Sequence, residues 1–246
     1  AATKWKRMAL KYFDCKIGEG ICTDMRAVRK DYFLDHDHSA YVDQWDWERA
    51  ITEKERNIDF LKDVVRKIWK VIHGAGMHVK ERFPELQTDK YPDIPEELKF
   101  FHAEEILERY PDLPRKQRET RMITEVAPAI FIIGIGWVLK DGYPHEMRAA
   151  DYDDWATETM TKNGETYHGL NGDILVWNPV TRRRHELTSM GIRVTAESLR
   201  KQLEICKQLD FLKLPYHQAI LNDRIPLHDR HDRQLRYGQP GQDSGC

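Results

Sequence analysis

The stretch of residues 169–194 constrains the fold more than any other, because two apolar runs flank a polar, basic connection within it. Its sequence is GLNGDILVWNPVTRRRHELTSMGIRV. Aliphatic, β-branched and aromatic residues fill the first run, Asn178-Pro179 interrupts it, and a second strand is expected from about His185. The stretch therefore predicts an antiparallel β-hairpin.

Two carboxylates mark this predicted hairpin. Asp173 opens the first strand and Glu186 lies in the second. Antiparallel pairing can bring the two acids together, and acids on one sheet face repel each other unless a hard cation or a cationic ligand group lies between them. The pair is therefore a candidate floor for magnesium and a nucleotide. An alternative is that both are ordinary strand-end acids, since carboxylates are mostly exposed.

Composition narrows the classes of function. The chain has 246 residues, 40% of them hydrophobic and 10% aromatic, which is ordinary for a globular protein with one large core or two modest domains. The net charge is -2 although 33% of residues are charged, so no overall basic field favours nucleic acid. No apolar run approaches the ~20 residues of a membrane helix, and no signal-peptide region is visible. We expect a cytoplasmic protein that binds neither nucleic acid nor a membrane.

Residues 41–48, with the sequence YVDQWDWE, alternate in character as a half-buried strand does. Aromatic residues dominate one face of the predicted strand. The other face carries Gln44, Asp46 and Glu48. Such a row of polar side chains can bind a polar ligand, or it can simply face water.

Apolar periodicity predicts the remaining elements. Helices are expected over residues 49–73, 115–125 and 214–221, with a strand and a short helix within residues 96–110. Gly74 is expected to end the first helix, and Thr195 is expected to N-cap a further one. Residues 129–136 form the most apolar run of the chain and predict a central strand that is buried on both faces.

Two polar segments complete the chain. Residues 141–160 are expected to form loops that carry an acidic cluster at Asp151, Asp153 and Asp154. Clusters of this kind are usually solvated, and a minority face cationic ligands. Residues 227–246 lack periodicity and are expected to be a disordered tail.

Six motifs carry a resemblance to a known family. They are KWKR at Lys4, GEGICTDMRAVR ending at Arg29, YVDQWDWE from Tyr41, DYDDW from Asp151, GLNGDILVWNP from Gly169 and ELTSMGIRV from Glu186. Together they resemble ammonia-dependent asparagine synthetase A, the type A aspartate-ammonia ligase, from about residue 2 to about residue 226. The resemblance implies an α+β fold, a mostly antiparallel sheet flanked by helices, as in the catalytic domain of class II aminoacyl-tRNA synthetases. It also implies a homodimer.

The resemblance implies one catalytic domain over residues 1–226. We expect this domain to be partial, because the family has further sequence ahead of the KWKR motif and a Gly-rich third motif after the segment that corresponds to residues 216–221. The arginine of that third motif is a preorganised charge donor, so its loss is expected to weaken ATP binding and slow turnover.

The implied reaction converts L-aspartate, ATP and ammonia to L-asparagine, AMP and diphosphate through a β-aspartyl-adenylate, with ATP and Mg²⁺ as cofactors. A free carboxylate is a poor electrophile for ammonia, and transfer of AMP to it supplies a good leaving group. The site must also neutralise phosphate charge during this transfer.

The resemblance also assigns roles to individual residues. Arg29 would clamp the α-phosphate, Lys6 would add a point charge, and Arg193 would pair with a substrate carboxylate in bidentate fashion. The expected catalytic residues are Lys6, Arg29, Gln44, Asp46 and Arg193. The expected nucleotide-binding residues are Arg29, Asp173, Glu186 and Thr188, with Asp173 and Glu186 also holding magnesium. The expected substrate-binding residues are Gln44, Asp46, Asp153, Ser189 and Arg193.

Three classes of function stay open at this point. The first is a working ligase. The second is a tRNA-charging enzyme of the same fold, which would need a separate basic anticodon-binding domain that the sequence does not show. The third is a non-catalytic or fragmentary relative that binds nucleotide or a partner subunit. The sequence does not decide between ammonia and glutamine as the nitrogen donor.

Overall fold

A computed structural model describes residues 4–28, 39–162 and 164–222 of the chain. Its elements, in chain order, are α1 (Trp5–Tyr12), β1 (Gly20–Val28), β2 (Tyr41–Arg49), α2 (Ile58–Arg82), β3 (Lys99–His102), α3 (Ala103–Arg109), α4 (Arg115–Glu125), β4 (Ala129–Ile133), β5 (Glu158–Lys162), β6 (Glu165–His168), β7 (Asn171–Asn178), β8 (Arg183–Gly191), α5 (Ala196–Ile205) and α6 (Pro215–Leu221). None of the described helices is both long enough and apolar enough to cross a membrane.

The centre of the fold is a four-stranded sheet with the order β3-β4-β7-β8. β3 and β4 are parallel, whereas β4 with β7 and β7 with β8 are antiparallel. All five residues of β4 are buried, which confirms the predicted central strand. The β7–β8 pair confirms the predicted hairpin. Two further pairs, β1–β2 and β5–β6, form small antiparallel sheets, and the predicted α+β class is confirmed.

Helices cover both faces of the central sheet. On one face, Val65 and Trp69 of α2 pack in the same core as Phe131 of β4. On the other, Ile106 of α3 and residues of α4 share a core with Ile132. Successive side chains of β4 therefore pack into two different cores. Burial of these apolar side chains is the main favourable contribution to folding.

The structure corrects the helix that was predicted over residues 49–73. The helix α2 runs over Ile58–Arg82, and Gly74 does not end it. Asn57 caps the true start, where its side-chain oxygen accepts a hydrogen bond from the backbone N–H of Phe60 at 2.9 Å. The penalty of a single glycine within a helix is about 1 kcal/mol, which is too small to end a helix whose other turns pack on a sheet.

The other predicted helices are confirmed. The β3–α3 unit, α4 and α6 occur where the periodicity places them. Thr195 caps α5 as expected, because its hydroxyl oxygen accepts a hydrogen bond from the backbone N–H of Ser198. The tail predicted over residues 227–246 lies outside the described residues.

Candidate functional site

A bulge in β8 brings three polar residues of the hairpin to one face. Asp173 pairs with Ser189 and Leu175 pairs with Glu186, so Leu187 is an extra residue in β8. Strict alternation would place Glu186 and Ser189 on opposite faces, but the bulge turns both toward the side of Asp173. The structure thus brings Asp173 and Glu186 together, as the sequence predicts.

A third acid joins this pair. One carboxylate oxygen from each of Glu146, Asp173 and Glu186 lies within 4.8 Å of the others. Asp173 is 3% exposed, and its Oδ1 accepts no hydrogen bond from any part of the chain that the structure describes. A buried carboxylate oxygen without a partner is unfavourable unless a ligand supplies positive charge. These residues therefore fit a hard divalent cation, which prefers carboxylate oxygens.

The electrostatics of this three-carboxylate cluster favour the same ligand. Burial raises the pKa of Asp173 to about 8, the Arg148 guanidinium opposes this rise, and the negative charge of Glu186 adds to it. Glu186 lies at the exposed edge of the cluster, where partial desolvation and the negative charges of Glu146 and Glu119 raise its pKa. Arg148 donates a hydrogen bond to Oδ2 of Asp173. Three acids around one guanidinium leave an excess of negative charge, which a bound cation would neutralise.

Arg193 is the centre of a second cluster. Its Nε and Nη2 donate to the two carboxylate oxygens of Glu48 at 2.8 and 3.0 Å, and its Nη1 donates to Asp153. The guanidinium carbon lies 3.7 Å from the centre of the Tyr152 ring. Burial lowers the pKa of Arg193, but Asp153 and Glu48 outweigh burial and raise that pKa well above its ordinary value.

The polar face of β2 contributes to this second cluster. Glu48 is buried, and Asp46 accepts a hydrogen bond from the fully buried ammonium of Lys6 in α1. Gln44 lies two residues further along the same face and is exposed. The other face is open to solvent, where Trp45 is 84% exposed. The predicted alternation of polar and aromatic faces is confirmed.

Arg148 connects the two clusters. Burial lowers the pKa of Arg148, but nearby carboxylates outweigh burial and raise that pKa. These carboxylates include Asp173 of the first cluster and Asp153 of the second. The expected site residues that lie in these connected clusters are Lys6, Asp46, Asp153, Asp173, Glu186, Ser189 and Arg193. They come from α1, β2, the loop before β5 and the β7–β8 hairpin, so distant parts of the sequence form one charged region.

Three expected residues are not among these seven. Arg29 lies outside the described residues, and Gln44 is exposed on β2. Thr188 pairs with Ile174, whose side chain belongs to the core on the α2 side of the sheet. Because paired residues point to the same face, Thr188 lies on the face opposite Asp173. Thr188 therefore faces away from the three carboxylates, and its expected contact with the nucleotide stays a prediction.

Sequence reasoning assigned no specific role to three residues of the site: Glu48, Glu146 and Arg148. Glu48 lies on the polar face that the alternation identified, and a signal for it was therefore present. Glu146 and Arg148 lie in a loop just ahead of the DYDDW motif. In a loop no repeat fixes the direction of a side chain, so only nearness to that motif pointed to them.

Two comparisons with known sequences indicate the same family. A family model described as aspartate-ammonia ligase matches residues 1–228. The aspartate–ammonia ligase of Parabacteroides distasonis is 47% identical over 223 residues, which are 91% of this chain and 62% of that relative. The chain thus spans less than two thirds of the length of that curated relative.

Comparison with solved structures concerns the fold. Aspartyl-tRNA synthetase from Entamoeba histolytica has a TM-score of 0.58 at 17% identity, over 89% of this chain and 43% of that one. Asparaginyl-tRNA synthetase of the same organism, in complex with asparaginyl-adenylate, has a TM-score of 0.55 at 14% identity, over 89% of this chain and 47% of that one. The predicted likeness to the class II synthetase fold is confirmed.

Proposed function

Because the chain belongs to the aspartate-ammonia ligase family, we propose that it converts L-aspartate, ATP and ammonia to L-asparagine, AMP and diphosphate. The observation that carries the proposal is the presence of two different charged clusters that both act on the charge of Arg148. One offers carboxylates suited to a cation, and the other is centred on an arginine suited to a carboxylate. A reaction that transfers AMP to an amino acid needs both kinds of site side by side.

The Arg193 cluster supports an amino acid as the substrate. Arg193 is held by Glu48 and Asp153, so a ligand that brought only a carboxylate would displace these acids and leave them unpaired. A ligand with both a carboxylate and an ammonium group can pair its carboxylate with Arg193 and its ammonium group with one of the two acids. No buried charge is then left unpaired. L-Aspartate has this combination. Arg193 would take one carboxylate of the substrate, and Glu48 or Asp153 its ammonium group.

Lys6 and Asp46 also support an amino acid as the substrate. The Lys6 ammonium has three N–H donors, and Asp46 accepts from it. Because Lys6 is fully buried, its charge acts through a medium that screens it weakly. A substrate carboxylate near Lys6 would be held in place by this charge during adenylation. Gln44, further along β2, is proposed to contact the same substrate.

The three-carboxylate cluster supports ATP with Mg²⁺ as the cofactors. Asp173 and Glu186 would hold the ion, and a bound Mg²⁺ supplies positive charge to the phosphate oxygens. Arg148 would keep Asp173 oriented through the hydrogen bond to Oδ2. Arg29, by the resemblance alone, is proposed to clamp the α-phosphate. A homodimer is proposed from the same resemblance, and a cytoplasmic location from the sequence pattern.

The test is a turnover assay on the 246-residue chain. We expect AMP to form from ATP only when L-aspartate is present, and asparagine to form only when ammonium is added. Hydroxylamine in place of ammonium should trap the activated acyl group as a hydroxamate. Glutamine in place of ammonium identifies the nitrogen donor.

Matched variants make this assay specific. Asp173→Asn should abolish AMP formation, whereas Asp210→Asn, which breaks the exposed pair with Lys213, should leave it unchanged. Absence of aspartate-dependent AMP and of hydroxamate in the unmodified chain would contradict the proposal. A chain that binds ATP without turnover would favour the non-catalytic alternative.

A further inference from the structure

Glu146 lies near the two acids of the hairpin and also forms an ion pair with an arginine. Its Oε2 lies 2.6 Å from Nη1 of Arg115, the first residue of α4. The side chain of Glu146 is 32% exposed and that of Arg115 is 24% exposed. Glu146 therefore lies between a guanidinium on one side and Asp173 with Glu186 on the other.

Arg115 is itself held in place by a buried acid. Its Nη1 lies 3.6 Å from Oε1 of Glu119, one helical turn further along α4. Glu119 is almost fully buried, and Nε2 of His145 lies 2.9 Å from the same Oε1. His145 directly precedes Glu146 in the chain. The start of α4 and the segment that carries Glu146 are thus joined at two neighbouring points.

This arrangement matches what a cation ligand needs. A carboxylate has two oxygens and about four lone-pair sites, so one side can accept from an arginine while the other binds an ion. Hydrogen bonds from residues behind a ligand orient that ligand, and their removal commonly weakens metal binding by about 10- to 100-fold. The buried Oδ1 of Asp173 has no hydrogen-bond partner among the described residues. A cation bound next to this oxygen would compensate its negative charge.

We propose that Glu146 is a third carboxylate ligand of the divalent cation and that Arg115 is a positioning residue, which holds Glu146 toward the cation without touching it. The proposal deepens the proposed function, because it concerns the same cation site. It adds a residue from the loop before β5 and ties the start of α4 to cation binding.

The test measures binding of Mn²⁺ alone, without nucleotide, to the 246-residue chain by electron paramagnetic resonance of the free ion. Glu146→Gln removes the charge and is expected to weaken Mn²⁺ binding by at least about tenfold. Glu146→Asp keeps the charge but withdraws the carboxylate, and it is expected to weaken binding as well. Glu108→Gln, which breaks the exposed pair with Lys140, is the matched control and should change nothing.

The role of Arg115 is tested in the same assay. Arg115→Gln is expected to weaken Mn²⁺ binding several-fold, and Arg115→Lys, which keeps a donor and a positive charge, should restore most of it. Arg121→Gln breaks another ion pair on α4 and serves as the control. In a Glu146→Gln background, Arg115→Gln should have no further effect, because Arg115 acts through Glu146.

Two results would overturn the inference. Unchanged Mn²⁺ binding in both Glu146 variants, together with weakened binding in Asp173→Asn, would show that the hairpin acids hold the ion by themselves. Tighter Mn²⁺ binding in Arg115→Gln would show that Arg115 only repels the ion. Either result leaves the proposed ligase reaction intact, since that reaction is judged by AMP and asparagine formation.

Discussion

β4 and β7 are neighbours in the central sheet, and their buried positions are used differently. All five residues of β4 are apolar and buried. β7 is buried over its first five residues, yet two of these are the polar Asn171 and Asp173. Ile132 of β4 lies directly opposite Asp173. Two equally buried, directly paired positions therefore carry an apolar packing residue in β4 and an ionisable residue in β7.

The two polar residues of β7 differ from each other as well. Asn171 Oδ1 accepts from the backbone N–H of Ile135, and its Nδ2 donates to the Ile135 carbonyl oxygen at 2.7 Å. Asp173 keeps one oxygen without a partner in the described part of the chain. A buried polar group whose partners are all present stabilises the fold. A buried carboxylate oxygen that lacks one, beside two further acids, fits a bound cation.

The largest expected effect concerns β4. Phe131→Ala should lower the free energy of unfolding by about 3 to 5 kcal/mol, because it removes a fully buried ring from the core that α2 covers. Denaturant titration gives the value, and Val71→Ala, at an exposed position of α2, is the control. A loss below about 1 kcal/mol would mean that β4 is not the packing strand that we describe.

The second effect concerns substrate binding. Arg193→Ala should weaken L-aspartate binding by about 2 to 5 kcal/mol, because the substrate carboxylate that Arg193 is proposed to hold would be buried without its partner. Calorimetric titration with L-aspartate measures the loss, and ATP affinity should stay nearly unchanged. Arg66→Ala removes the exposed pair with Asp63 and serves as a control. Equal losses of aspartate and ATP affinity would contradict the division into two clusters.

The third effect has the opposite sign on stability. Asp173→Asn should raise the free energy of unfolding by about 1 to 2 kcal/mol, because burial and Glu186 disfavour the charged form of Asp173 and an Asn oxygen can still accept from Arg148. Arg148 keeps Glu146 and Glu186 as neighbouring charges in this variant. Thermal unfolding without divalent cations is the measurement. A less stable variant would show that Asp173 is a structural residue, like Asn171.

The smallest effect concerns pH. His102 caps α3, where its Nδ1 accepts from the backbone N–H of Glu104, and Nε2 contacts the carbonyl oxygen of His168. Burial lowers the pKa of His102 to about 4. The unfolded chain then binds more protons than the folded one between about pH 6.5 and 4. We expect about 1.5 kcal/mol of stability to be lost as pH falls from 6.5 to 5.

A variant isolates the contribution of His102. His102→Asn keeps a good helix cap and removes the titrating group. Its stability should fall less steeply over that pH range than that of the unmodified chain, as denaturant titrations at a series of pH values will measure. Parallel pH curves for the two proteins would contradict the assignment to His102.

Sequence periodicity predicts the elements of this fold well and predicts less about the site. The β4 run and the polar face of β2 follow from period-two patterns, and Thr195 follows from capping chemistry. The end of α2 was missed, because a glycine that favours a helix end in a short peptide is overridden by tertiary packing. The bulge in β8, which turns Ser189 rather than Thr188 to the face of Asp173, was not visible in the pattern. Glu146 and Arg148 lie in a loop, where only the folded structure determines neighbours.

The bulge at Leu187 has a consequence for comparing this chain with its relatives. Because one extra residue in β8 turns Glu186 and Ser189 to the same face, the site depends on how many residues separate them as well as on which residues they are. A relative that kept every one of these residues but paired the two strands without the bulge would turn Glu186 away from Asp173. Identity of the charged residues is therefore an incomplete criterion for this chemistry in a distant sequence. The bulge between them has to be present too.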